Sequence, residues 1–168
     1  MKRQNTLLPF HAGISIDGGS HAAVAWNLST TEFLAQIPDR FITYVRTYWI
    51  GVTISLFGVR REFDFNFATC PFFHEIQFID RNLATMHLQF AEFSEAIRKV
   101  LGTPTCEWMG FVRWHDASLV VDLKIRTVRN YPKGPSYPIF MFSFANTTQH
   151  ALHWNNQEIR PVGLEVWG

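Results

Sequence analysis

Residues 61–80 read REFDFNFATCPFFHEIQFID and hold six phenylalanines in twenty positions. At the start of this stretch, aromatic and polar residues alternate strictly: Phe63, Phe65 and Phe67 against Glu62, Asp64 and Asn66. Successive side chains of a β-strand point to opposite faces, so the pattern predicts a strand with one buried and one wet face. We expect the three rings to fill a core. The alternative is that they line a cavity for an apolar ligand.

Other parts of the chain also have strand patterns. The Asp17-Gly18-Gly19 run predicts a hairpin turn within residues 11–26, because glycine supplies positive φ at little cost. His115-Asp116-Ala117-Ser118 predicts a second hairpin loop. Apolar residues alternate with polar ones, or cluster between turn signals, in residues 52–56, 75–80, 86–90, 109–114, 119–128 and 139–144, and the tail at 155–167 is a candidate edge strand.

Two helices are predicted from start and stop signals. Ser29 and Glu32 form a Ser-x-x-Glu capping box, and Pro38 ends the helix that follows. Residues 93–101 keep helical apolar spacing, and Gly102 stops the pattern. Residues 41–49 fit a helix by spacing, whereas their β-branched and aromatic content favours a strand. We favour a helix there.

These elements predict a fold class. Helices concentrate in the first two-thirds of the chain and hairpins follow, so we expect a single α+β domain over residues 1–168. A largely antiparallel sheet would carry two or three helices on one face. Residues 1–10 are expected to be flexible or loosely packed.

Composition restricts the partners and the compartment. The net charge is +1 and charged residues make up only 17% of the chain, so nucleic acid is not suggested as a partner. No apolar run approaches the ~20 residues of a membrane helix. Pro9 and His11 interrupt the N-terminal apolar run, and Cys70 and Cys106 are the only cysteines. We therefore expect a cytoplasmic protein with free thiols.

Catalytic patterns are weak. Asp122-Leu123-Lys124 matches the Asp-x-Lys of metal-dependent nucleases, where a second carboxylate, here Asp64 or Asp116, would be required. His150 and His153 are spaced like metal ligands but lack the intervening glutamate of zinc proteases. We expect no metal and no cofactor. If the protein is an enzyme, its candidate residues are His115, Asp116, Asp122, His150 and His153.

Aromatic residues favour binding over catalysis. The chain has 16 Phe and 6 Trp, and aromatic anchors near an arginine are typical of protein interfaces. We expect a non-catalytic factor that binds another protein, as an inhibitor, immunity-type protein or adaptor, and a homodimer is compatible with this. A small hydrolase or phosphodiesterase/nuclease and an apolar-ligand carrier are the alternatives. The predicted binding residues are Trp114, Trp154, Trp167, Arg113, Arg160, Asp64 and Glu62.

Overall fold

The structure is a computed structural model that describes residues 7–15, 24–67, 75–129 and 134–146. Within these residues eight strands form one antiparallel sheet, the main sheet, in the order β3-β4-β5-β6-β10-β9-β8-β7. The strands are β3 (Ile42–Val45), β4 (Trp49–Leu56), β5 (Val59–Asn66), β6 (Glu75–Asp80), β7 (Cys106–Trp108), β8 (Phe111–His115), β9 (Leu119–Arg129) and β10 (Ser136–Asn146).

A separate short ladder joins β1 (Gly13–Ile14) to β2 (Val24–Ala25) in antiparallel register. This pairing agrees with the hairpin predicted over residues 11–26, although its Asp17-Gly18-Gly19 turn lies outside the described residues. Just before β1, Leu7 is buried and the ring of Phe10 lies 5.1 Å from that of Phe57. Leu7 and Phe10 therefore contact the core.

The alternating phenylalanines form the centre of the core. Phe63 and Phe65 are both 0% exposed, and in-register neighbours extend this apolar face of the main sheet through β10. The rings of Phe140 and Phe142 lie 5.4 and 5.2 Å from that of Phe93. Burying such a side chain contributes about 1.5–3 kcal/mol, and each aromatic pair adds about 0.5–1.5 kcal/mol.

The described residues also form two α-helices, α1 (Thr30–Gln36) and α2 (Met86–Leu101). Helix α1 begins at the predicted capping box, in which the Ser29 hydroxyl accepts from the Glu32 amide and the Glu32 carboxylate accepts from the Ser29 amide. Its Phe33 ring packs 4.9 Å from that of Phe65. The fold is α+β with an antiparallel sheet, which confirms the predicted class at this level. Neither helix is long and apolar enough to cross a membrane.

The strand predicted at residues 86–90 is wrong, because these residues form the first turns of α2. Met86, Leu88 and Phe90 alternate as in a strand, but Leu88 is 70% exposed. Met86 and Phe90 instead continue the helical spacing of Phe93, Ile97 and Leu101, so one apolar stripe runs along the whole helix.

The helix predicted over residues 41–49 is also wrong. Its beginning is a short 3-10 turn, Asp39–Phe41, after which the chain forms β3, a hairpin turn and the start of β4. Val45 and Tyr48, which belonged to the helical stripe, are exposed. A helix would have no core to bury them against, whereas the hairpin gains cross-strand pairing with β4.

Candidate functional site

The face of the main sheet opposite to the phenylalanines, the polar face, carries one in-register row of residues across the strands β3 to β10. Each member lies directly opposite the next on the neighbouring strand. From β3 to β7 this polar row consists of Tyr44, Gly51, Asp64, Gln77, Ser143, Asp122, Arg113 and Cys106.

Alternation within each strand places these residues together. On β9, Val121, Leu123 and Ile125 enter the core, so Asp122 and Lys124 must point to the polar face. A shift of one residue in register would exchange the two faces and bury the charges in the core. The apolar face therefore determines the position of the polar row.

The centre of the site is a buried ion pair between β8 and β9. The Arg113 guanidinium donates from Nε and Nη2 to the two carboxylate oxygens of Asp122, both at 2.6 Å. Asp122 is 0% exposed and the Arg113 side chain only 16%. The hydrogen bonds to Asp122 raise the pKa of Arg113 despite its burial, so the guanidinium stays charged. Two predicted site residues thus meet in one bidentate pair.

Lys124 lies next to this pair with a much looser contact. Its Nζ is 4.0 Å from Asp122 Oδ2, beyond hydrogen-bond distance, and Arg113 already bonds to both of the carboxylate oxygens. Burial lowers the pKa of the Lys124 amine, and Arg126 and Arg113 lower it further, against the opposing effect of Asp122 and Glu75.

His115 and Asp116 follow at the end of β8. Partial burial, and after it the charge of Arg113, lowers the pKa of His115. Asp116 binds elsewhere: its Oδ2 accepts from His11 Nε2 at 2.6 Å, and its Oδ1 accepts from the amides of Ser118 and Leu119 at 2.9 Å. His115 and Asp116 are adjacent in the sequence, but they have different partners. Asp116 holds the β8–β9 turn and the segment that contains His11.

Asp64 lies at the other end of the polar row. The Tyr44 hydroxyl donates to its Oδ1, and the ring of Tyr44 crosses the polar face above Gly51. Burial raises the pKa of Asp64. Asp64 is three strand spacings from Asp122, or about 14 Å, which is too far for two carboxylates to share one metal ion. Glu62, also on this face, is exposed opposite Thr53.

An exposed apolar feature lies at the β7 edge of the main sheet. The β7–β8 tip, which we define as Glu107, Trp108, Met109 and Gly110, presents Met109 at 67% exposure and Trp108 at 37%. The Trp108 ring packs at a tilted angle 5.2 Å from that of Phe111, which holds the indole in place. Gly110 has φ 75°, the positive value that lets this tight turn close.

Trp114, a predicted binding residue, belongs to the core instead. It is 2% exposed, and its indole Nε1 donates to the Gly102 carbonyl at 3.0 Å, behind the end of α2. No surface of this side chain is left for a partner. Trp108, in the tip described above, is 37% exposed and can be reached by a partner.

The remaining predicted site residues, His150, His153, Trp154, Arg160 and Trp167, lie outside the described residues, as do Cys70 and the candidate strand at 155–167. Among the described residues, no group of three or more His, Cys, Asp or Glu side chains could hold a metal ion. Cys106 is a free thiol in this part of the chain, and burial raises its pKa.

The chain was compared with protein-family models, with curated proteins and with solved structures, and none of the three comparisons gives a match. The polar row and the β7–β8 tip are therefore the features from which a function can be inferred. Sequence reasoning did not select Tyr44, His11, Trp108 or Met109. The only signal for the tip was the turn-forming pair Met109-Gly110 beside a tryptophan.

Proposed function

We propose that this protein is a non-catalytic, cytoplasmic protein-binding factor of the inhibitor, immunity or adaptor type, which contacts its partner through the β7–β8 tip. The observation that supports the proposal is the adjacent exposure of Trp108 and Met109. Tryptophan and methionine are enriched in interface cores, and tryptophan is among the commonest residues whose truncation costs 2 kcal/mol or more.

The setting of the tip suits docking. Within the described residues β7 is the end strand of the main sheet and pairs only with β8. An end strand offers unpaired backbone groups to an extended segment of another protein. Because β7 has only three residues, backbone pairing with a partner segment would involve few hydrogen bonds. The apolar side chains of the tip therefore supply most of the binding free energy.

An ion pair forms a polar rim beside the apolar side chains of the tip. The Arg98 guanidinium pairs with the Glu107 carboxylate, and the two side chains are 36% and 50% exposed. Exposed charges at the edge of an interface guide association and orientation more than they increase affinity. The partner would then be blocked sterically by the sheet edge, with Trp108 held by its contact with Phe111.

The apolar-carrier alternative needs phenylalanines that line a cavity. Phe63, Phe65, Phe140 and Phe142 are all 0% exposed, and their rings pack against other rings. An open groove of about 390 Å³ lies elsewhere, between α2 and the turn that contains Phe57. It does not reach these four rings.

Affinity capture from the native host tests the proposal, with the wild-type chain and two variants as baits. Trp108→Ser combined with Met109→Ser removes the apolar surface of the tip. Leu88→Ser, on α2, removes a side chain of 70% exposure far along the chain from the tip and is the matched control. We expect one stoichiometric protein that binds the wild type and the control, and that binds the tip variant about 30-fold or more weakly.

Two results contradict the proposal. One is equal capture by the tip variant and the wild type, and the other is capture of no protein by any folded bait. Circular dichroism of each bait establishes folding, because loss of Trp108 also uncovers Phe111. Light scattering of the purified chain gives its molar mass in solution and shows whether the chain binds a second copy of itself.

A further inference from the structure

A separate feature, the amine of Lys124, has no role in the protein-binding proposal. Its side chain is 18% exposed, so part of it remains within reach of a small molecule. In register, Phe111 and Met141 lie on either side of it, and both are buried. Among the described residues, Lys124 thus has apolar neighbours across the strands, and its one ion-pair contact is the loose 4.0 Å contact with Asp122.

We infer that Lys124 is a covalent site for small anionic carbonyl compounds, aldehydes or 2-oxo acids, with which its amine forms an imine. In this reaction the Nζ lone pair attacks the carbonyl carbon and forms an N–C bond. The carbonyl oxygen then leaves as water with the two amine hydrogens, and a C=N bond remains. The step is a condensation, so it needs no oxidant or reductant.

The surroundings of the amine favour this chemistry. A lysine nucleophile reacts as the free base, which apolar surroundings and neighbouring cations promote. The groups that act on Lys124 are Arg126 and Asp122 on β9, Arg113 on β8 and Glu75 on β6, and with burial their net effect lowers the pKa of Lys124. The charge of Arg113 is offset by Asp122, so Arg126, which is exposed two residues along β9 on the same face, is the cation that would attract an anionic carbonyl compound.

A matched lysine exists in the same molecule. Lys99 on α2 is 71% exposed and pairs with Glu95 at 2.7 Å, which is an ordinary surface position. The chain has few other lysines, so peptide mapping can assign every modified amine. We therefore measure the extent of labelling at Lys124 divided by that at Lys99. This ratio corrects for differences in overall reactivity between reagents and between protein preparations.

The experiment treats the folded full chain with glyoxylate, which is anionic, or with propionaldehyde, which is neutral. Borohydride then reduces the imines, and mass spectrometry locates them. We expect the Lys124 to Lys99 ratio to be severalfold higher with glyoxylate than with propionaldehyde. The ratio should also be severalfold higher at about pH 7 than at about pH 10, where an ordinary lysine loses its proton too. Comparing the two pH values removes the effect of limited access to Lys124.

A variant locates the source of the anion preference. Arg126 is exposed, so Arg126→Gln should leave the fold intact and bring the two reagent ratios closer together. Folded protein in which Lys99 is labelled and Lys124 is not would overturn the inference. So would a ratio that does not change with pH, or a glyoxylate preference that is absent in the wild type or equally strong in Arg126→Gln.

Discussion

Replacing Arg113 with methionine, which keeps most of the side-chain volume, leaves the Asp122 carboxylate buried without its bidentate partner. Each hydrogen bond to a charged group contributes about 1.5–3 kcal/mol, and breaking a buried pair by removing one partner costs about 3–5 kcal/mol. Lys124, at 4.0 Å, compensates only in part. We expect the free energy of unfolding to fall by about 3 kcal/mol, which corresponds to a melting temperature about 6–12 °C lower for a chain of this size.

Urea unfolding followed by tryptophan fluorescence measures this loss. Lys99→Met is the control, because it also removes the cation of an ion pair, but one in which both side chains are more than 70% exposed. Exposed pairs contribute little, so the control should unfold close to the wild type. The double variant Arg113→Met/Asp122→Leu replaces the pair with apolar side chains and should recover most of the stability. If Arg113→Met unfolds at the same urea concentration as Lys99→Met, the assigned role of the pair is wrong.

Three further variants test other contacts. Burial acts to raise the pKa of Asp116, but its hydrogen bonds, first the one from His11, outweigh burial and lower the pKa below the ordinary 3.8. The ionised carboxylate therefore stabilises the fold above pH 3.8, and this stabilisation is lost as the pH falls through the lowered pKa. Asp116→Asn should remove that part of the pH dependence in urea unfolding, and an unchanged acid slope would contradict the contact. In Gly51→Ala the new methyl group would overlap the Tyr44 ring, so calorimetry should show a loss of about 1–3 kcal/mol, and no loss would mean that the ring does not cross there. Phe93→Ala should cost about 3–5 kcal/mol in urea unfolding, and less than 1 kcal/mol would show that its ring contacts are not part of the core.

Local patterns predicted which side chains of β5 and β9 point into the core, but not that Asn66 and Asp122 on the opposite face are buried as well. The alternation at residues 62–67 and 121–126 appears unchanged in β5 and β9, because each residue there has a fixed side as soon as the strand forms. The sequence patterns gave the wrong element where the same residues fitted both the period of a strand and the period of a helix. Residues 86–90 match a strand over five positions, and only the stripe that continues to Leu101 identifies the helix.

The candidate site could be predicted only in part, because it depends on strand order. Alternation alone shows that Asp64, Asp122 and Arg113 point away from the core. It does not show that Arg113 lies beside Asp122 while Asp64 is three strands away, since this follows from the insertion of β10 between β6 and β9. The burial of Trp114, a predicted binding residue, could not be predicted for a related reason: it depends on the packing of α2, where Trp114 donates to the Gly102 carbonyl.

Burying charged side chains on a sheet costs free energy of desolvation, and the residues on the polar face differ in how well this cost is offset. Arg113 and Asp122 satisfy each other with two hydrogen bonds, so their charges need no further partner. Lys124 shares the same buried surroundings but has no hydrogen bond of comparable quality. A leucine at this position would pack against Phe111 and Met141 without the desolvation of an amine. Structural pairing therefore accounts for Arg113 and Asp122 but not for Lys124, and this difference makes its amine the group on the polar face whose chemistry most needs a direct test.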